Sequence, residues 1–364
     1  MTNFIIRRLI QSFFLLFFIS MLIYVVINLV PGGPFDMLAL SNPRITPSHI
    51  ARLNALLDLD KPILPGQYCP VIENDPQPCR FDQGRYLRWL GKVVRGDWGR
   101  SWTMQVGTPV LTMISNRLGY TILLMGLSTL LAIIIAVPIG IYSAVKQYSV
   151  MDYTVTTIAF FGQSMPTFWT GLMAMAIFAV TLNAFPTGGV RSTGMEGDII
   201  EALIRIFSFG RRYPELAGME LQIIMDGLWH VTLPTLVLAY FNLAGWSRYT
   251  RSSMLEVLRQ DYMRTARAKG LVERLVILKH GLRNALIPLI TLLALTIPGL
   301  FGGAIITESI FSWPGMGRMF IDAIAGVDWP VVQGILVISS ALVVFSNLLA
   351  DILYAVVDPR IQYS

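Results

Sequence analysis

The chain has 364 residues, of which 54% are hydrophobic and only 14% charged, with a formal net charge of +6. A soluble domain carries about 25% charged residues, so an ordinary water-soluble globular protein is excluded and the quantity to count is membrane spans of about 20 apolar residues. Two cysteines and three histidines (His49, His230, His280) without ligand spacing exclude a zinc site.

In chain order, the first span is expected at 9–30 and ends at Pro31-Gly32-Gly33-Pro34. Its apolar run is too long for a signal peptide, and no small-x-small cleavage site follows, so residues 1–30 read as N-terminus plus an uncleaved first span. Residues 31–118 form a long loop. Thr46-Pro47 followed by Ile50, Leu53, Leu56 and Leu57 predicts one short helix, and 85–94 a second amphipathic one. Such helices can lie on the membrane, line an external vestibule, or merely decorate a linker. Cys69 and Cys79 both fall here, ten positions apart. On an oxidising face they favour a disulfide, with free thiols as the alternative.

Residues 119–247 hold spans two (119–144), three (155–182, interrupted at Ser164-Met165-Pro166) and four (229–247). The loop 183–228 lies between the last two, and within it 199–209 has helical spacing. Residues 284–364 hold spans five (284–307) and six (331–357) and the C-terminus. Trp313-Pro314-Gly315 marks a turn in the external segment between them, 308–330. Arg7 and Arg8 place the N-terminus in the cytoplasm, and six spans return the C-terminus to the same side. The expectation is an all-α integral membrane protein of six transmembrane helices, with loop 31–118 and loop 183–228 outside.

The remaining loop, 248–283, is then cytoplasmic. It holds nine Lys or Arg against Glu256, Asp261 and Glu273, a formal +6 that equals the charge of the whole chain. Topology accounts for this basic segment without nucleic acid. Read as one helix over 251–270, it aligns Met254, Leu258, Tyr262 and Ala266 in a stripe. Gly270 then ends the helix in a left-handed conformation, and a second helix runs over about 272–282. Small residues (Ala266, Ala268, Gly270) flanked by Arg264, Arg267 and Lys269 suit a plug that enters a groove with an acidic rim. An amphipathic helix on anionic lipid is the other reading. No phosphate-binding loop or H-E-x-x-H sequence is present, so the chain carries no ATPase or metalloprotease signature.

The same stretch resembles the cytoplasmic motif of ATP-binding cassette importer permeases: E-A-A, three residues, Gly, nine residues, I-x-L-P. Arg264-Thr265-Ala266 fills the first positions, Gly270 the glycine, and His280-Gly281-Leu282-Arg283 the last. Ala266, Gly270 and Leu282 match, whereas Arg264, His280 and Arg283 replace Glu, Ile and Pro. The chain as a whole is similar to the first permease subunit of dipeptide and oligopeptide importers. The likeness covers IIRRL (5–9), VPGGP (30–34), LDKP (59–62), GDWGRSW (96–102), SMPTFW (164–169), TRSSMLEVL (250–258) and DYMRTARAKGL (261–271), then ITESIFSWPGMGR (306–318) and DPRI (358–361). Residues 63–84, which bear both cysteines, depart from it.

The resemblance implies a type I importer permease fold paired with a second, different permease. It further implies two ATPase subunits that bind ATP and magnesium in place of this chain, an extracytoplasmic binding protein and a peptide substrate. It places ATPase coupling on Tyr262, Arg264, Thr265, Ala266, Arg267, Ala268, Gly270 and Leu282. Peptide termini need polar groups along the path, for which Gln163, Ser164, Asn242 and Glu308 are candidates. Glu308 has a second reading as a partner of Arg318. Nickel chelates, glutathione or another small solute remain alternative cargoes, and a stand-alone secondary transporter the alternative mechanism. The latter is disfavoured because the sequence shows no repeated halves.

Overall fold

Without water to satisfy backbone polar groups, a chain of long apolar runs crosses a bilayer as helices. The computed structural model describes residues 2–30, 52, 54, 55, 59–69, 71, 72, 75, 76, 79–207, 219–296, 299–302 and 304–357. The helix expected after Pro47 lies largely outside the described residues, as do Pro31–Pro34 and the DPRI tail. Two compact units emerge, Met1–Asn116 with Met319–Val344 and Arg117–Arg318 with Phe345–Ser364.

In the first unit, α1 (Thr2–Leu29) is followed by a β-hairpin. β1 (Gly66–Tyr68) pairs antiparallel with β4 (Arg80–Asp82), and β2 (Val71–Ile72) with β3 (Asp75–Pro76). Cys69 and Cys79 directly continue the β1–β4 register, with Cα atoms 4.1 Å apart, and are joined by a disulfide. The segment that departs from the peptide-permease pattern is thus a stapled hairpin. Replacing both cysteines by serine should loosen it by roughly 2–4 kcal/mol. Limited proteolysis between Gly66 and Asp82 should become faster while the spans stay intact.

α2 (Arg85–Val94) begins at Gly84, whose amide is held by Asp82, and packs on α1. The contact is aromatic. Tyr86 is 1% exposed, shares a 2.9 Å hydrogen bond with Ser20, and meets Phe17, Tyr24 and Trp89 edge-on or tilted. This amphipathic helix therefore has a partner in α1.

α3 (Val110–Val145) runs on into the second unit. There follow α4 (Val150–Ser164), α5 (Thr167–Ala174, continuing as a π-helical turn over Met175–Thr181), α6 (Ile199–Phe207) and α7 (Glu220–Leu258). Next come α8 (Asp261–Ala268), α9 (Glu273–Leu275, continuing as a π-helical turn over Val276–Leu282), α10 (Arg283–Thr296), α11 (Gly299–Gly302) and α12 (Ile305–Ile310). α13 (Met316–Ala325) and α14 (Trp329–Val357) complete the chain. α7 is the spine of the second unit and packs on α4, α5, α6, α10 and α12. Its core side is fixed by two clusters: Leu124, Val231, Leu238 and Trp313, and Ala132, Ala136, Ala239, Trp246 and Leu289.

Four helices are long and apolar enough to cross a membrane: Ile6–Leu29, Val110–Val145, Glu220–Leu258 and Trp329–Asp351. α4 and α5 with its π-helical turn pass that test only together, bent by 104°. The bend has a local cause. A residue before proline is pushed out of the helical region, and Met165 (φ −86°, ψ 139°) and Pro166 (φ −61°, ψ 136°) are both extended. Within the span expected over 284–307 the helix is interrupted at Ala304 (φ −96°, ψ 71°), just before α12, and residues 297, 298 and 303 lie outside the described residues. Among the described residues there are four such spans and one bent pair.

Candidate functional site

α7 is 39 residues long, about 58 Å, whereas a bilayer core about 30 Å thick takes about 20 residues. Its C-terminal turns therefore continue beyond the apolar section without a break in the helix, and α8 and α9 are mounted on that projection. The single helix expected over 251–270 is corrected. α7 stops at Leu258, Gln260 is extended (φ −74°, ψ 149°), and α8 starts afresh with Asp261 in its first turn.

The break turns a different face inward. Met254 and Met263 are fully buried, Ala266 is 6% exposed, and Met263 and Ala266 pack on Val276. Tyr262, assigned to the apolar stripe, is 41% exposed instead. The second arm packs here through Gly281, where a Cβ would meet the methyl ends of Met263 and Met254 at 3.4 and 3.5 Å, ordinary contact distances.

The turn between the arms is built on Gly270, at φ +73°. Its amide donates to the Arg267 carbonyl at 2.9 Å, and the Lys269 amide to the Thr265 carbonyl at 3.1 Å, which closes the end of α8. A Cβ on Gly270 would meet nothing within 4 Å, so the demand there is for backbone conformation alone. Arg267 bridges the turn, its Nε and Nη2 forking onto the Glu273 carboxylate at 2.9–3.3 Å. That hydrogen bond holds Glu273 below and Arg267 above their ordinary values. Both side chains are solvated, so the pair orients the arms more than it stabilises them.

The outer surface is composite. Tyr262, Arg264, Thr265, Arg267, Ala268, Lys269 and Gly270 are exposed. Beside them stand the exposed apolar residues Leu271, Val272, Leu275 and Leu278 with Arg274 and Lys279. Of the eight residues assigned to coupling, six face outward. Ala266 and Leu282 do not: Ala266 is under α8, and Leu282 packs against the cluster of Ala144, Met254 and Ala285. Sequence reading missed the apolar half of the surface because those four residues fit equally well as the buried side of a second helix.

The substrate-path candidates separate. Gln163 and Ser164 are exposed at the α4–α5 bend, and Asn242 is exposed on α7 with its amide tied to the Leu238 carbonyl. Glu308 is corrected. It is 0% exposed and accepts from the Thr121 hydroxyl at 2.9 Å and from the backbone N–H of Arg318 at 3.0 Å. A Cβ on Gly315 would lie 2.4 Å from its carboxylate. Glu308 therefore braces the turn after Trp313, whose indole N–H donates to the Tyr120 carbonyl, and does not open onto a path.

Two further carboxylates escaped notice. Asp152, 3% exposed, accepts from the Tyr148 amide and from Arg251 Nη2, each at 2.9 Å, and so ties the start of α4 to the projecting end of α7. Its signal was local: Ser149 caps Asp152 three residues on. Asp328, 0% exposed, accepts from the Ser101 hydroxyl at 2.5 Å and from the amides of Trp102, Thr103 and Met104 at 3.0–3.1 Å.

Comparison with known proteins gives a consistent picture. Residues 136–363 match the family described as "Binding-protein-dependent transport system inner membrane component", and residues 1–125 match its N-terminal companion. The chain is 42% identical to the oligopeptide transport system permease protein AppB of Bacillus subtilis over 363 residues, covering all of both chains. It is 37% identical to the dipeptide transport system permease protein DppB of Escherichia coli K12, covering all of this chain and 99% of that one. To the oligopeptide transport system permease protein OppB of Mycobacterium bovis it is 36% identical over the full length of both.

Proposed function

We propose, for a chain that belongs to the family of binding-protein-dependent transport system inner membrane components, that it is the first permease subunit of an ATP-driven di- or oligopeptide importer. It is a multi-pass membrane protein and has no bond-breaking chemistry of its own to perform. In this reading a second permease completes the pore, two ATPases hold ATP and magnesium, and an extracytoplasmic binding protein delivers peptide. The spans number six, the fifth running over about 284–307, and both termini are cytoplasmic.

The observation that carries the coupling role is the hairpin of α8 and α9 on the end of α7. Its inner face is fully packed, while its outer face presents cations and apolar side chains together. Such a surface suits a groove with an acidic rim and an apolar floor. Because α7 continues from span to hairpin, a push on Gly270 and its neighbours is transmitted to the span as a rigid-body movement.

The test is ATP-dependent uptake of a labelled dipeptide into proteoliposomes holding the co-purified complex. Uptake is expected only with ATP inside and binding protein outside. Uptake by this chain alone, driven by an ion gradient, would overturn the reading in favour of a secondary transporter.

A further inference from the structure

A cavity of about 120 Å³ lies where α3, α4 and α7 meet near the Asp152–Arg251 pair. Ile139, Val155, Ala159 and Phe160 make its wall largely apolar, yet Arg248 and Arg251 both reach it. The two guanidiniums have unused capacity. Arg251 donates through Nη2 to Asp152, but its Nε is buried with no hydrogen-bond partner. Arg248 is exposed, lies over the Phe160 ring at 5.9 Å, and among the described residues has no ion pair or hydrogen bond. The Arg251 Nε and the Asp152 Oδ1 beside it are themselves shut off from this space, so the guanidinium meets the cavity through its other edge.

Charge and size define the acceptor. Two arginines against Asp152 leave one positive charge, which suits a monoanion. Pockets that enclose a whole small-molecule ligand run from roughly 300 to 1,000 Å³. A space of about 120 Å³ therefore takes the head of an amphiphile whose tail stays outside. Exposed Ile158, Phe160 and Phe161 on α4 offer that tail an apolar flank. Arg248 also marks the point where the apolar section of α7 ends, the level at which a span meets the phosphate layer of a bilayer.

We propose that this cavity binds the phosphodiester headgroup of a bilayer phospholipid, with the guanidiniums of Arg248 and Arg251 facing its non-bridging oxygens. The lipid would bridge the start of α4 and the base of the coupling hairpin. The inference rests on α7 being a membrane span and holds whatever solute is carried.

The test uses the full chain with the subunits that co-purify, passed through nanodiscs of phosphatidylglycerol in a neutral galactolipid, then released for native mass spectrometry. One retained phosphatidylglycerol per chain is expected. Arg248→Gln should lower its affinity by about fivefold, Arg248→Lys much less, since each basic side chain near the headgroups adds about a factor of five. Thr156→Leu, which fills the cavity from its wall and keeps both arginines, should also expel the lipid. Undiminished retention in Arg248→Gln would overturn the proposal. So would loss in Arg248→Gln with full retention in Thr156→Leu, because surface charge without the cavity would then suffice. Displacement of the lipid by transported dipeptide would overturn it too, by assigning the cavity to the solute path.

Discussion

Gly270→Val should leave the permease assembled with its partners but reduce ATP-driven uptake by roughly five- to a hundredfold. The range follows from the backbone. Gly270 sits at φ +73°, where a β-branched residue is strained by about 1–3 kcal/mol, and that strain depopulates the bend by the corresponding factor. No clash contributes, because a Cβ there meets no atom of this chain within 4 Å. The inner face of Met263, Ala266 and Val276 is untouched, so folding and membrane insertion should be preserved. ATP hydrolysis should persist while transport fails.

Gly270→Asn separates bend from contact, because asparagine accepts left-handed backbone far better than valine. Uptake close to the parent's is expected if conformation is the whole demand. Failure of Asn as well as Val would mean that the partner surface comes within a side chain's width of Gly270. Undiminished uptake in the valine variant would end the coupling role of this turn.

How far the sequence could be read depended on which force set each feature. Apolar runs are dictated by the bilayer, and four of them stand as unbroken helices where expected. The proline at 166 announced its own bend, and the glycine at 270 its own turn. Misjudged features were those decided by packing. Periodicity put Tyr262 in the stripe, yet an extended Gln260 resets the phase, and Met263 is buried instead. The interruption at Ala304 lies in a segment that has the composition of a continuous span. Buried carboxylates were the least legible. Asp152 has a local cap, but its ion-pair partner Arg251 is 99 residues away and the donors to Asp328 about 225, and no local pattern encodes a contact at that distance. Glu308 was noticed as a charge in an apolar setting, but its closure by Thr121 and the Arg318 amide could come only from the fold.

Asp328 supports the second large effect. Its carboxylate lies between α13 and α14 and gathers one hydroxyl and three backbone amides from residues 101–104. Asp328→Ala leaves these donors without an acceptor in a buried place, where each unsatisfied group costs about 1–3 kcal/mol. A loss of roughly 3–5 kcal/mol is therefore expected, read as lower thermal stability of the purified protein. The 96–109 loop should loosen first, so trypsin should cut more quickly after Arg95 and Arg100, both exposed. Asp328→Asn keeps an acceptor oxygen but gives up the charge-assisted bonds, so its cost should be about half as large.

The carboxylate also carries a pH signature. Burial opposes its ionisation, but the Ser101 hydroxyl and the amides of Met104, Thr103 and Trp102 outweigh burial and hold it below the ordinary carboxylate range. A depressed native value means that the unfolded chain binds the proton more readily. The stabilisation is therefore complete above the unfolded value of about 4, and drains away as pH falls through the lower native one. The stability gap between parent and Asp328→Asn should be constant at neutral pH and narrow in acid below about pH 4. A gap independent of pH through that range would show that Asp328 holds its loop as a neutral acid, and that the cradle of amides does not bind a charge.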